Sequence, residues 1–213
     1  GRQLTSVWQP AQAGTIALPV VGMRPDHAYE MYVESESGTA GEAVPYHTGA
    51  LPSELPGWST EGSPTWRGFG VSTLLGTDNW VVVWDESGKA VWTYDIPETG
   101  SAIRARQRAA GDGIWYANAV LDGADEVPEL VAVDWNGTEI ERVPVALYSH
   151  DFVELSDGTL SVLLFEPGTL EDQDFLGDRI VELDPIDRSE REVWSAFDFW
   201  TPGVDGKIGS EGR

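Results

Sequence analysis

A short pattern recurs three times in this chain and limits what the chain can fold into. Each copy is an apolar run that ends in an aspartate, followed by a polar turn and a second apolar run. The aspartates, which lie 49 and 50 residues apart, are Asp85, Asp134 and Asp184. A further apolar run precedes each copy, at residues 69–75, 114–121 and 160–165. A period of about 40–50 residues with about four strands per unit predicts the blades of a β-propeller; a plain β-sandwich with coincidental turns is the alternative.

The clearest local signal is the stretch 148–165, which predicts two strands joined by the turn at 156–159. An Asp-Gly pair between alternating apolar runs is the strongest short-range indication of a β-hairpin. Leu160, Val162 and Leu164 fall on one face of the second strand. Ser149, His150 and Asp151 stand at the open end of the hairpin, which makes this corner the candidate functional site.

Composition narrows the class of protein and its partners. The chain has 24 glycines, 13 prolines and 10 tryptophans, and it contains no amphipathic helical stretch of any length, so the predicted class is all-β. Its net charge of −23 argues against nucleic acid and anionic membrane surfaces as partners, because both would be repelled. The absence of cysteine excludes disulfides and thiolate chemistry. No apolar run approaches the ~18 residues of a membrane span.

The N-terminal part differs from the repeats. Residues 1–50 predict strands at 15–21, 28–34 and 44–48, and their order resembles the second half of a fibronectin type III-like sandwich. A stretch rich in proline and glycine follows, and residues 51–58 are therefore predicted to be a linker. The incomplete propeller is predicted over residues 59–213. About three blades do not close a propeller, so the chain is expected to belong to a longer protein, or to be completed by a second chain or by self-association.

Several motifs in fixed order resemble the bacterial arylsulfotransferase (arylsulfate sulfotransferase-like) family. The first is Thr-Gly-x-Leu-Pro at residues 48–52, directly after the N-terminal strands, and the second is Trp66-Arg-Gly-Phe69. The others are the segments 82–94, 150–158 and 178–184, the last of them followed by Val193-Trp194. The resemblance covers most of the chain. It implies a β-propeller that is secreted or lies in the bacterial cell envelope, as a periplasmic protein or an outer-membrane lipoprotein.

The same resemblance implies an activity and a set of site residues. Members of the family transfer a sulfuryl group from a phenolic sulfate to a phenol through a sulfated histidine, and the resemblance implies no cofactor. The family's His-His-Asp motif matches Ser149-His150-Asp151, with serine in place of the first histidine. His150 would then be a channel-facing catalytic-site residue that helps to bind the sulfate. The nucleophilic histidine lies further along in the family, so this chain alone is expected to be inactive.

Other residues are candidates for binding the substrate. Arg104, Arg106 and Arg108 alternate along one predicted strand and would project from one face. Arg104 and Arg106 are predicted to contact an anionic substrate; a solvated or salt-bridged face is the structural alternative. Asn118 is placed at the inner end of a blade. Asp151 is predicted to orient the imidazole of His150, although adjacent strand residues point to opposite faces.

Two questions stay open at this stage. The acidic loops at 122–126 and 171–174 offer carboxylate ligands for Ca²⁺, but they lack a fixed ligand spacing, and a solvated loop is the simpler interpretation. The chain is also compatible with a non-enzymatic propeller of the envelope or the exterior that binds a ligand or a protein, because a fold alone decides no function. The replacement of the first motif histidine by Ser149 favours this second hypothesis.

Overall fold

The computed structural model describes residues 3–6, 10, 15–38, 41–62, 65, 67–75, 79–97, 101–119, 127–170 and 173–201. Within these residues the protein is all-β, with four antiparallel sheets, none of them closed, and no α-helix. The predicted all-β class is confirmed. The chain divides into two compact units, residues 1–96 and 97–213.

The first unit contains two small sheets. Strands β1 (Ala28–Met31) and β2 (Val44–His47) pair with each other, and β3 (Phe69–Leu74), β4 (Trp80–Asp85) and β5 (Ala90–Asp95) form a three-stranded meander. The strand predicted at 15–21 is wrong, because this segment has no regular secondary structure. Pro19 removes a backbone donor in its middle, and Ile16 and Leu18 are exposed.

The segment predicted as a linker packs against the β3–β5 sheet. It has no strand or helix, but Leu51 and Leu55 contact the buried cluster of Trp80, Val82 and Ala90. The indole Nε1 of Trp58 also donates to the Gly88 carbonyl at 3.2 Å. This stretch is therefore anchored by apolar contacts, while the domain boundary near residue 58 stays a prediction.

The second unit consists of two four-stranded meanders in chain order. The first has β6 (Ser101–Gln107), β7 (Gly113–Ala119), β8 (Glu129–Asp134) and β9 (Glu139–Pro144). The second has β10 (Tyr148–Glu154), β11 (Leu160–Leu170), β12 (Gln173–Leu183) and β13 (Glu190–Ser195). The predicted hairpin over 148–165 is confirmed as β10 and β11.

The core of this unit lies between the two meanders. Trp115, Leu130 and Val143 of the first sheet and Phe152 and Leu160 of the second belong to one cluster of buried side chains. The cluster also takes in the two other apolar residues of the predicted β11 face, Val162 and Leu164. Face-to-face packing of this kind removes apolar area from water at about 25 cal/mol per Å², so it supplies most of the stability of the unit.

The aspartate of each repeat has a clear structural task. The backbone N–H of Asp85, Asp134 and Asp184 donates to Lys89, Thr138 and Ser189 respectively, at 2.8 to 2.9 Å, and so closes the turn. Each side-chain Oδ1 also accepts backbone N–H groups of its own turn. A short acidic side chain fits this position because it satisfies donors that the turn leaves unpaired. The repeat seen in the sequence is thus a repeat of Asp-anchored turns.

Asp85→Asn is expected to destabilise the first unit in a pH-dependent way. Burial alone would raise the pKa of Asp85, but hydrogen bonds from Ser87, Lys89 and Arg24 outweigh it and lower the pKa from 3.8 to about 2. The Arg24 Nε lies 2.7 Å from Asp85 Oδ2. Because the folded-state pKa is depressed, the carboxylate stabilises the fold above about pH 4, and this contribution is lost as the pH falls through about 2.

The expected loss for Asp85→Asn at pH 7 is about 1–2 kcal/mol, discounted because the Arg24 side chain is half-exposed. Urea unfolding at pH 7 and pH 3 measures it, with the exposed Asp95→Asn in the same sheet as control. The loss should shrink at pH 3. An equal loss at both pH values would contradict an electrostatic role.

Candidate functional site

Two arginines and one aspartate meet where the first strands of the two meanders lie side by side. Asp151 of β10 accepts from Arg104 Nη2 at 3.0 Å and from Arg106 Nη2 at 2.8 Å to each carboxylate oxygen. Arg104 Nε also lies 3.0 Å from Asp151 Oδ1. Three of the five predicted site residues are therefore in direct contact, and we call them the Arg104–Arg106–Asp151 cluster.

The local backbone explains this arrangement. Arg104 and Arg106 are two residues apart on β6, so their side chains share a face. β10 contains a bulge between Tyr148 and Phe152, and bulges turn side chains away from the regular alternation of a strand. Arg106 Nε donates to the Phe152 carbonyl at 3.1 Å, and the Phe152 N–H donates to Asp151 Oδ1 at 2.9 Å. The two strands are thus held together by side-chain and backbone bonds.

The cluster carries a net positive charge in a strongly acidic protein. Burial would raise the pKa of Asp151, but hydrogen bonds from Arg106 and the Phe152 N–H, with the charges of Arg106 and Arg104, lower it. Asp151 is therefore ionised at neutral pH, and one carboxylate balances only one of the two guanidinium groups.

The cluster keeps donors for a ligand. Each guanidinium has five N–H groups, and Nη1 of Arg104 and of Arg106 has no partner among the residues that the structure describes. Both side chains are about two-fifths exposed. The cluster can therefore offer N–H donors to an anion from solvent.

Tyr148, which is on the same strand as Asp151, is a buried residue that the sequence did not single out. It is 5% exposed, and its hydroxyl has no hydrogen-bond partner in the described part of the chain. Burial raises the pKa of Tyr148 well above 10, and the negative charge of Asp151 adds to this, partly offset by Arg104 and Arg106. The phenol therefore stays protonated at every physiological pH, and its O–H can donate a hydrogen bond. Its place at the start of a strand was the only available signal.

His150 lies on β10 beside the cluster but is not oriented by it. Its side chain is exposed and contacts the Phe165 ring edge-on, with 5.8 Å between the ring centroids. The Asp151 carboxylate bonds to Arg104, Arg106 and the Phe152 N–H instead. The predicted orientation of the imidazole by Asp151 is therefore not seen among the described residues, and the sulfate-binding role of His150 stays a prediction.

Asn118 is not part of this cluster. Trp115 and Ala117 of β7 face the second meander, and strand alternation puts Asn118 on the opposite face. It is buried, and its Oδ1 has no partner among the described residues. Arg108 pairs with Asp112 at 2.7 Å and lies over the Trp115 ring. The salt-bridged alternative for the arginine stripe is thus observed at all three arginines.

The remaining motif residues have structural contacts or cannot be described. Ser149 is buried, with its Oγ 3.4 Å from Asp178 Oδ1. The loop at 122–126, residues 171–172 and Trp66 lie outside the described residues. Asp174 accepts from Thr169 at 2.9 Å, and no group of three or more potential metal-binding side chains occurs in the described ranges. The Ca²⁺ hypothesis stays a prediction.

Comparison with protein-family models, curated proteins and solved structures finds no match to this chain. No helix in the described residues is long and apolar enough to cross a membrane. In the residues that the structure describes, the fold is all-β and the site is a cationic corner between two packed sheets. Any assignment of function depends on the chemistry of that corner.

Proposed function

We propose that this chain is the N-terminal part of an arylsulfotransferase-like β-propeller and that the Arg104–Arg106–Asp151 cluster, with His150, binds the sulfate group of an aryl sulfate. The sheets β6–β9 and β10–β13 would each be one blade, and β3–β5 part of another. Consecutive four-stranded meanders that pack face to face, with their first strands adjacent, support this fold. In a propeller the first strand of each blade lines the central channel, which is where the proposed substrate binds.

The observation that carries the proposal is the surplus positive charge of the cluster. A sulfate ester presents three oxygens that share one negative charge, and guanidinium groups bind such oxygens with paired, charge-assisted hydrogen bonds. The side chains of Arg104 and Arg106 are about two-fifths exposed and can present N–H groups for this purpose. In a protein of net charge −23, a cationic corner attracts anions that the rest of the surface repels.

The proposed reaction follows from the family resemblance. The S–O bond to the departing phenolate breaks, a bond to a nucleophilic histidine elsewhere in the complete protein forms, and the sulfuryl group then passes to the acceptor phenol. The residues of this chain would hold the sulfate oxygens and stabilise their charge. They would not supply the nucleophile. We further propose a location in the bacterial cell envelope or outside the cell, and completion of the propeller by further sequence, a second chain or self-association.

A second candidate function is a non-enzymatic propeller that binds an anionic ligand. The observation in its favour is Ser149, which replaces the first histidine of the family motif. Its hydroxyl is buried beside Asp178, so a structural contact occupies the position where the family motif has a histidine. Turnover by the complete protein separates the two candidates.

The test is binding of 4-nitrophenyl sulfate to the chain, measured by isothermal titration calorimetry beside 4-nitrophenol. We expect binding of the ester only, and a loss of about tenfold or more in affinity in His150→Ala, since one hydrogen bond to a charged group is removed. His27→Ala, at another exposed histidine, is the matched control. Equal binding of the phenol, or unchanged binding in His150→Ala, would contradict the proposed role. In the complete enzyme His150→Ala should also strongly reduce release of 4-nitrophenolate.

A further inference from the structure

We infer that the outer face of the β10–β13 sheet is a self-association surface, on which a second copy of this chain packs through the same face. The outer face is the side of this sheet that points away from β6–β9. Leu163, Ile180 and Trp194 form a row across it, with Val153 and Phe199 beside the row. The inference does not depend on sulfate binding and goes beyond the proposed function.

The register of the strands brings the row together. Leu163 of β11 pairs with Ile180 of β12, and Ile180 pairs with Trp194 of β13. Paired residues of neighbouring strands lie on the same side of a sheet. Their neighbours in sequence Leu164 and Val181 belong to the core against β6–β9. The row therefore points away from that core.

The outer face is apolar and accessible in the part of the chain that the structure describes. Val153 is 44% exposed, Trp194 36% and Phe199 75%, while Leu163 and Ile180 are partly buried. The rings of Trp194 and Phe199 are nearly parallel, with 6.4 Å between their centroids. A contiguous apolar patch on a protein surface indicates an interaction site, because a partner removes its area from water.

The internal repeat indicates what kind of surface covers such a row. The first meander has a row at the same place, formed by Ala117, Leu130 and Val143. Leu130 and Ile180 each lie four residues before the turn aspartate of their repeat. The row of the first meander is buried against the apolar face of the second. The equivalent row of the outer face should therefore pack against the apolar face of another β-sheet.

A second copy has only one large apolar face to offer among the residues that the structure describes. On β6–β9, the side opposite the core is buried as well, with its apolar residues at most 1% exposed; they are Ile114, Tyr116, Val131 and Val133. On β3–β5, Val81 and Val82 lie on opposite sides and both are buried. The β1–β2 sheet has only two short strands. The second copy must therefore use its own outer face, and a contact of one surface with itself closes as a dimer.

Charge favours the same contact. Two copies of a chain with net charge −23 repel each other over most of their surface. Beside the row, however, Arg191 pairs with Glu182, so these two charges compensate each other. The apolar row with its neutral border is where two copies can approach. Salt should strengthen the dimer, because it screens the repulsion between the rest of the two surfaces.

The experiment is sedimentation equilibrium of the full chain at several micromolar concentrations. We expect an average mass that rises from monomer to dimer with concentration, and a tighter dimer when NaCl is raised from about 0.02 M to about 0.3 M. Phe199→Asp should weaken the dimer by more than about tenfold, because it places an unpaired charge in an apolar contact. Trp194→Glu should weaken it similarly.

Ile186→Asp is the matched control. Ile186 is 84% exposed and lies in the turn between β12 and β13, so this variant adds the same charge to the same sheet away from the outer face. It should leave the dimer unchanged. Equal weakening by Ile186→Asp and Phe199→Asp would mean a general effect of charge and would overturn the inference. So would a wild type that stays monomeric, or a Phe199→Asp protein that dimerises normally.

Two further results test the geometry of the contact. Mass that grows beyond the dimer would mean that two different surfaces meet, and the contact of the outer face with itself would be wrong. Oxidation of side chains by hydroxyl radicals, read by mass spectrometry, needs no variant and so does not depend on whether a variant folds. In the wild type, Trp194 and Phe199 should become less reactive as the dimer forms, and Ile186 should not. Unchanged reactivity of Trp194 and Phe199 in a proven dimer would place the contact elsewhere and overturn the inference.

Discussion

Gly113→Ala is expected to cost the second compact unit about 3 kcal/mol or more of its free energy of unfolding. Gly113 is the first residue of β7 and pairs with Asp134 of β8. A Cβ atom there would stand 2.0 Å from the carbonyl oxygen of Val133 and 2.9 Å from its carbonyl carbon. These are backbone atoms of a central strand, so relief requires the two strands to separate. Forced overpacking of this kind costs about 1–3 kcal/mol or more.

Chemical unfolding followed by far-ultraviolet circular dichroism measures this loss. Gly49→Ala is the matched control, because no atom lies within 4 Å of a Cβ added there and its backbone is not in the left-handed region. The control should change stability by less than about 0.5 kcal/mol. A Gly113→Ala protein as stable as the control would mean that β7 and β8 are not paired as described.

Local signals predicted most of the strands. The Asp-Gly pair at 157–158 marks a real turn, in which Leu155 N–H donates to the Thr159 carbonyl at 2.8 Å. The three repeated aspartates likewise mark real turns, because their bonds join residues at most five positions apart. Such features are set by neighbouring residues and therefore appear in the sequence.

The failures come from features that are not local. The segment at 15–21 has the apolar composition of a strand, but composition does not supply a partner strand, and Pro19 weakens the ladder. The bulge in β10 breaks the alternation of buried and exposed residues: the neighbours Tyr148 and Ser149 are both buried, and His150 is exposed. A bulge cannot be read from alternation, since alternation assumes a regular strand.

The candidate site was predictable in part. Arg104, Arg106 and Asp151 were named separately, but their mutual contact joins residues about 45 positions apart and depends on how two sheets pack. For the same reason the sequence offered no basis for predicting that Tyr148 is buried in the core between the sheets with an unpaired hydroxyl. Strand alternation puts Asn118 on the face of β7 opposite Trp115 and Ala117, so it lies away from the cluster, and its binding role stays a prediction.

Asp151→Asn and Arg106→Gln are expected to change sulfate affinity in opposite directions. The Asp151 carboxylate occupies N–H groups of both arginines and cancels one of their two charges. Its replacement by the isosteric amide removes one of the two accepting oxygens, frees the N–H groups bonded to it and adds one net positive charge, so sulfate should bind about tenfold more tightly. Arg106→Gln removes one of the two guanidinium groups, and sulfate should bind more than about tenfold more weakly.

Calorimetry with inorganic sulfate measures both changes, and Asp112→Asn is the control. Asp112 also pairs with an arginine, Arg108, in the same unit, but at a different place on the surface, so it tests whether removing any acidic charge is enough. Tighter binding in both aspartate variants would mean a general effect of net charge. Weaker binding in Asp151→Asn would mean that Asp151 holds the arginines in place and does not compete with the ligand. If sulfate binds more tightly to Asp151→Asn and not to Asp112→Asn, the result agrees with an anion site in which the Asp151 carboxylate competes with the ligand for the arginine N–H groups.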